Sequence, residues 1–190
     1  LNFGNPCYVG GGYLKGYMAQ EEDICRRSAL YSSLSTLTHK NGKYKNNLIG
    51  KVIYSNDIIF FRESYNNGYK IDSEPFVSSV ITVSPPSVNQ SIMFDAVMVK
   101  ETIRQMLLFP LGHGNNTIIL GAWGCGLKGY NPNVIATMFK SELNKYGGAY
   151  NNVVFAVPDF KNLNMFKNTI SKDSEIVDLI GNNKQDAIKS

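Results

Sequence analysis

A chain of 190 residues, 43% hydrophobic and 18% charged, has the size and balance of one globular domain with a substantial buried core. It contains no apolar run near the ~20 residues a membrane helix needs, and a formal net charge of +4 favours anionic ligands without marking a nucleic-acid binder. Three cysteines, Cys7, Cys25 and Cys125, are too few and too scattered for a disulfide framework or a zinc site, so the expected setting is reducing and intracellular, cytoplasmic or nuclear.

In chain order, residues 1–3 read as the end of a buried strand, broken by Gly4, Asn5 and Pro6. The loop that follows carries three consecutive glycines, Gly10, Gly11 and Gly12, whose uncovered amides bring the backbone close to a partner. Seven residues later Gln20, Glu21 and Glu22 open a helix predicted over 20–33. Acidic residues stabilise the first turn of any helix, and glycines punctuate ordinary loops. Their combination at this spacing, however, places two carboxylates beside bare backbone, the parts needed to move a proton and hold hydroxyls. The helical step turns Glu21 toward the side of Ile24, Cys25 and Ser28 and leaves Glu22 about a quarter-turn away. The two carboxylates can therefore face one ligand but different atoms of it.

Lys40, Lys43, Lys45 and Lys51 gather in the next segment and read as a solvated face. Residues 48–54 and 58–62, rich in β-branched and aromatic side chains, form two strands or one bent strand around Ser55, Asn56 and Asp57. A surface turn is expected over 65–69, a strand over 76–83 stopped by Pro85 and Pro86, and a long helix over 92–111 disturbed near its end by Pro110. Residues 117–120 are the apolar core of a parallel strand running straight into Gly121, Gly124, Gly126 and Gly129. Asn131 and Pro132 then suit the N-cap and first position of a helix, so strand, glycine loop and helix follow in the order that binds phosphate. A strand over 153–157 and short helices over 163–170 and 175–180 complete the pattern, with 181–190 polar and expected to fray. Strands alternating with helices imply a three-layer α/β/α arrangement with ligands at the carboxyl ends of the strands. Cys125 lies between two glycines, but neither His39 nor His113 stands in a readable relation to it, and no ligand spacing for a metal is present.

The GGG, seven-residue, QEE pattern resembles the signature of microbial-type poly(ADP-ribose) glycohydrolases, a branch of the macrodomain fold, and LNFGN at the start looks like the VNAAN strand end of macrodomains. Further similarity lies in Arg26-Arg27-Ser28 with Leu30-Tyr31, in Val52-Ile53-Tyr54-Ser55 with Asp57 and Phe61-Arg62, and in Val80-Ile81-Thr82 with Pro85-Pro86 and Asn89. The LGAWGCG run from Leu120 and Val154-Phe155-Ala156-Val157 with Asp159 extend it to about residue 166. The resemblance implies an α/β macrodomain-like mixed sheet, a single catalytic domain over 1–190 lacking the helical N-terminal region of the family, and hydrolysis of ribose–ribose bonds in poly(ADP-ribose) with release of ADP-ribose and no cofactor. It makes Glu22 the general acid and then base, and Glu21 the group that holds sugar hydroxyls. Asn5, Gly10, Gly11, Gly12 and Gln20 would line the distal ribose; Gly124, Cys125, Gly126, Leu127, Lys128 and Gly129 the diphosphate; and Phe160 the adenine. The partners implied are poly(ADP-ribose) or ADP-ribosylated protein, with neither membrane nor sequence-specific nucleic acid.

The chain departs from the pattern in two places. Tyr8 and Val9 stand where the family has Asn-Pro, so a ribose contact is lost or comes from Asn5. Lys128 stands where the family has a phenylalanine on the distal ribose, so either Tyr130 supplies that ring or the substrate is positioned differently. Trp123 is read as loop or core support. The competing functions are an ADP-ribose reader without hydrolysis and a mono-ADP-ribosyl hydrolase.

Overall fold

The computed structural model describes residues 1–86 and 93–170. The predicted helix at 175–180, the tail at 181–190 and the landmark Asn89 lie outside them. The strands are β1 (Asn2–Phe3), β2 (Val52–Arg62), β3 (Ile71–Val83), β4 (Thr117–Leu120) and β5 (Asn152–Phe155). The helices are α1 (Gln20–Arg27), α2 (Leu30–Ser35), α3 (Ala96–Gly112), α4 (Pro132–Tyr146) and α5 (Phe160–Ile170). β3 pairs antiparallel with β2 and parallel with β1, and β4 pairs parallel with β5. These pairings make two sheets, β2-β3-β1 and β4-β5, and the Leu1 amine, donating to the Ile119 carbonyl at 3.0 Å, sets β1 beside β4, so that the strands lie in the spatial order β2-β3-β1-β4-β5.

Alternation along β3 divides the core. Ile81 and Val83 enter a large cluster with Val99, Ile103, Met106, Leu120, Trp123, Ile135 and Phe139, which packs α3, α4 and α5 on one face. Val80 enters a smaller cluster with Val9, Cys25, Leu30, Leu34, Tyr44, Leu48 and Ile58, which holds α1 and α2 on the other. Two-residue periodicity sends successive side chains to opposite faces, so the three-layer α/β/α class expected from the sequence follows. No helix among the described residues is long and apolar enough to cross a membrane.

The helix predicted over 20–33 is two helices. At Ser28 the chain turns extended and pairs with Phe60 on the edge of β2, while the Ala29 amide donates to the Ile59 carbonyl at 3.0 Å. Ser28 Oγ donates to the Ile24 carbonyl and accepts from the Leu30 amide, closing one helix and opening the next. An edge strand distant in sequence thus captures backbone that local propensity assigns to a helix. β2 is one bent strand, with a register shift between Ser55 and Ile58 and Asp57 at φ +50° in the bend. β3 begins earlier than predicted, at Ile71, which pairs with Arg62 of β2; residues 72–75, with Asp72, Glu74 and Pro75 of poor strand propensity, fall in the register shift between that pair and the pair of Phe60 with Phe76. α3 starts at Ala96, where the Asp95 side chain accepts from the Met98 amide, and Pro110 stays inside its last turn. Asp159 starts α5 at Phe160 in the same way, accepting from the Asn162 amide.

Candidate active site

β1 delivers the chain to the carboxyl edge of the sheet. Gly4 passes so close to β3 that a Cβ there would lie 2.7 Å from Thr82 Cγ2. Fully buried Asn2 donates from Nδ2 to Glu21 Oε1 at 3.3 Å and to Thr82 Oγ1 at 3.1 Å. The Asn5 amide donates to Glu21 Oε2 at 2.7 Å, so both oxygens of Glu21 are held by protein donors. Asn5 Oδ1 accepts from the Cys7 and Tyr8 amides, which folds the turn leading to the glycines. Glu22 Oε1 accepts from the Gly12 amide at 2.8 Å, whereas its buried Oε2 has no hydrogen-bond partner among the described residues.

Gly11 lies between the two carboxylates. At φ +55°, a Cβ on it would stand 2.6 Å from Glu22 Oε1 and 3.2 Å from Glu21 Oε2. The flanking glycines are confined by other neighbours: a Cβ on Gly10 would stand 2.9 Å from the Tyr31 ring, and one on Gly12 would run into the Tyr17 ring. The side-chain directions read from the sequence therefore converge on one glycine, Glu21 from the β1 side and Glu22 from the loop side.

Both carboxylates are almost wholly buried, 4% and 6% exposed, and neither has an ion-pair partner among the described residues. Arg26 and Arg27 are engaged elsewhere: Arg26 on the Tyr13 carbonyl and the Tyr13 and Tyr69 rings, Arg27 on Asp23. Glu142, buried to 1% in the opposite layer, shows the structural alternative, since Lys145 at 2.8 Å and Lys100 at 3.6 Å neutralise it. Buried charge without a cation is costly to keep and marks a site rather than a scaffold. Burial pushes the Glu21 carboxyl up to about 7; the Asn5, Asn2 and Gly10 donors oppose the rise and the Glu22 charge adds to it. Between a helix N-terminus that favours the anion and burial that disfavours it, burial prevails at Glu21.

The second glycine loop leaves β4 beside β1. A Cβ on Gly121 would meet the Phe3 ring at 2.9 Å, and the Ala156 amide donates to the Leu120 carbonyl, so β1, β4 and β5 release their loops at one edge. Gly124 and Gly129 take positive φ, +78° and +79°, and Gly126, Leu127 and Gly129 are exposed. Cys125 and Lys128 are half-buried. Asn131 caps α4, its side chain accepting from the Asn133 amide, with Pro132 at the first helical position. Trp123 is fully buried and donates from Nε1 to the Val83 carbonyl, bracing the loop from below. Burial pushes the Cys125 thiol up to about 12, which leaves no thiolate for nucleophilic chemistry at neutral pH. Among the described residues no group of three or more His, Cys, Asp or Glu side chains is placed to hold a metal.

Two residues assigned to the ligand from the sequence are engaged by the protein itself. Tyr130 is 3% exposed and packs edge-on against Trp123 and Phe94, filling the space above Gly124. It is core, because a ring following a glycine loop is drawn into the largest apolar cluster available. Gln20 spends its amide on β1, accepting from the Phe3 amide at 2.8 Å and donating to the Leu1 carbonyl at 2.7 Å. Phe160, 74% exposed just past β5, is free to stack on a planar group. Sequence reasoning missed Asn2 and Tyr17. A polar residue inside a short buried strand was the available signal for Asn2; Tyr17, folded onto Gly12, had none.

Residues 1–63 match the family model described as the catalytic domain of microbial-type PARG. A crystal structure of poly(ADP-ribose) glycohydrolase from Deinococcus radiodurans in complex with ADP-ribose is similar at 27% identity and a TM-score of 0.73, covering 91% of this chain and 75% of that one. The enzyme from Thermomonospora curvata bound to the inhibitor ADP-HPD is similar at 27% identity and a TM-score of 0.74, covering 88% of this chain and 68% of that one. No curated protein matches. The resemblance carried by the GGG and QEE motifs is borne out, and so is the macrodomain-like fold.

Proposed function

We propose that this chain, similar to the microbial-type poly(ADP-ribose) glycohydrolases in fold and in its N-terminal motifs, is a catalytic domain that hydrolyses ribose–ribose bonds of poly(ADP-ribose) and releases ADP-ribose. The observation that carries this reading is the pair of buried glutamates converging on Gly11, without a cation among the described residues, one with both oxygens held by protein donors and the other with an oxygen that no described residue engages.

Glu21, both of whose oxygens are fixed, is the positioning member: it sets the β1 turn and faces the sugar hydroxyls. Glu22 has one oxygen anchored on the Gly12 amide, which fixes its rotamer and leaves Oε2 for the substrate. Its carboxylic acid gives a proton to the glycosidic oxygen as the bond to the anomeric carbon breaks, with the electron pair leaving on that oxygen. The resulting carboxylate takes a proton from water, whose oxygen attacks the oxocarbenium-like carbon, and the acid form returns. The Gly124–Gly129 loop and the start of α4 suit the diphosphate, whose negative charge favours the developing cation. Phe160 is suited to the adenine. The three free thiols fit a reducing, intracellular setting.

The test is incubation of the purified protein with poly(ADP-ribose), with free ADP-ribose measured by chromatography. Release of ADP-ribose is expected. Tight ADP-ribose binding with no release makes the protein a reader, and release only from singly modified protein makes it a mono-ADP-ribosyl hydrolase.

A further inference from the structure

The lysine segment read from the sequence as a solvated face has a defined place in the fold. Residues 38–44 form a small hairpin, with Thr38 paired to Tyr44 and the His39 amide donating to the Lys43 carbonyl. Its returning limb runs antiparallel to the residues just before the glycines. The Val9 amide donates to Gly42, the Tyr44 amide to Cys7 and the Leu48 amide to Pro6, and Tyr8 pairs with Lys43. Tyr44 and Leu48, 5% and 4% exposed, anchor this limb in the smaller core. Lys43 and Lys45, on either side of Tyr44, therefore point outward, and Lys40 stands at the hairpin tip. Lys51 precedes β2, whose first residue pairs with Val83 at the carboxyl end of β3. All four lysines are exposed, and none makes an ion pair among the described residues.

The order β2-β3-β1-β4-β5 gives this patch a direction. If the terminal ADP-ribose lies with its adenine past β5, its diphosphate at the β4 loop and its distal ribose at Gly11 and Glu22, the next unit leaves the site over β3 and the start of β2. Lys51 stands at that start of β2, and the limb carrying Lys43 and Lys45 leads there from residues 6–9, with Ile49 bridged to Ser84 just past β3. Each further unit of the polymer carries a diphosphate, and regularly spaced phosphates are bound by exposed lysines as point charges.

We infer that Lys40, Lys43, Lys45 and Lys51 form a track for the phosphates of poly(ADP-ribose) units on the leaving-group side of the scissile bond. The inference rests on the function proposed above and assigns the site a preference for long chains over short ones.

The test compares Lys40→Gln/Lys43→Gln/Lys45→Gln with the unsubstituted lysines, both in a Glu22→Gln background that spares the polymer. Binding of end-labelled poly(ADP-ribose) is read by fluorescence anisotropy across a salt series, and binding of ADP-ribose by calorimetry. Removing three phosphate contacts should lower the slope of log affinity against log salt by about two, at roughly 0.7 per contact on a single strand. Long-chain affinity at low salt should fall at least tenfold, with ADP-ribose affinity and melting temperature unchanged. An unchanged slope, a parallel loss of ADP-ribose affinity, or no polymer binding by the parent overturns the track. If the wild-type protein binds polymer through these lysines yet releases no ADP-ribose, the catalytic reading fails while the track stands.

Discussion

Gly11→Ala tests whether the glycine loop is shaped by the carboxylates, and Gly16→Ala in the same loop supplies its control. Both positions lie in the left-handed region, at φ +55° and +81°, where an L side chain costs about 1–2 kcal/mol. They differ in what a methyl group would meet. No described residue lies within 4 Å of a Cβ on Gly16, while one on Gly11 would stand 2.6 Å from Glu22 Oε1, a distance that forces the carboxylate to retreat. That retreat weakens the hydrogen bond from the Gly12 amide, and a buried bond to a charged group contributes about 1.5–3 kcal/mol. Gly16→Ala should therefore cost about 1 kcal/mol and Gly11→Ala about 3 kcal/mol. For a chain of this size these are melting-temperature drops of roughly 2–4 °C and 6–12 °C in differential scanning fluorimetry. Hydrolysis should separate the two further, because displacing a catalytic group by about 1 Å is enough to lose roughly 100-fold in rate. If the two variants melt together and turn over polymer within threefold of each other, Gly11 is not packed against a working carboxylate and the site geometry is wrong.

Glu21→Gln should change the pH dependence of stability. With its carboxyl raised from 4.5 to about 7, native Glu21 holds a proton between those values that the unfolded chain has released, so its contribution to stability is full below pH ~4.5 and is lost as pH rises through about 7. The loss is on the order of 3 kcal/mol. Denaturant titrations at pH 5 and pH 8 should show this fall in the wild type and a much smaller one in the variant, whose amide can pair with Asn2 Oδ1, a buried atom without a partner among the described residues; an identical fall in both proteins would remove burial as the controlling effect. Gly126→Val should weaken ADP-ribose binding by more than tenfold, or ~1.4 kcal/mol, without unfolding the protein, because Gly126 has an ordinary φ and open space around its Cβ position. Unchanged affinity by calorimetry would take this loop out of the diphosphate site.

What could be read from the sequence was what neighbouring residues decide. Asn131 and Pro132 specify the start of α4 from within one turn, and residues 117–120 form β4 as read. The GGG and QEE motifs place Glu21 and Glu22 on a helix start beside a loop because only seven residues intervene. The break between α1 and α2 was not legible, since its cause is the edge of β2 at Ile59 and Phe60, some thirty residues downstream. Tyr130 and Gln20 were assigned to a ligand by their place near a motif, yet tertiary neighbours claim each: the Trp123 cluster for one and the backbone of β1 for the other. Which effect prevails at Glu21 also depends on burial, a property of the packed layers. The glycines constrain the backbone, but sequence alone does not reveal that Gly10, Gly11 and Gly12 face three different neighbours.

In the proposed mechanism Glu22 performs the proton transfer while the rest of the cleft binds. The most direct measurement is Glu22→Gln assayed twice on one preparation, for release of ADP-ribose from poly(ADP-ribose) and for calorimetric affinity toward ADP-ribose. Glutamine preserves the shape and the acceptor for the Gly12 amide but can neither donate the proton nor take one from water. Hydrolysis should fall at least ~100-fold with affinity nearly unchanged. Near-normal turnover, or hydrolysis and affinity falling to the same extent, would contradict that mechanism.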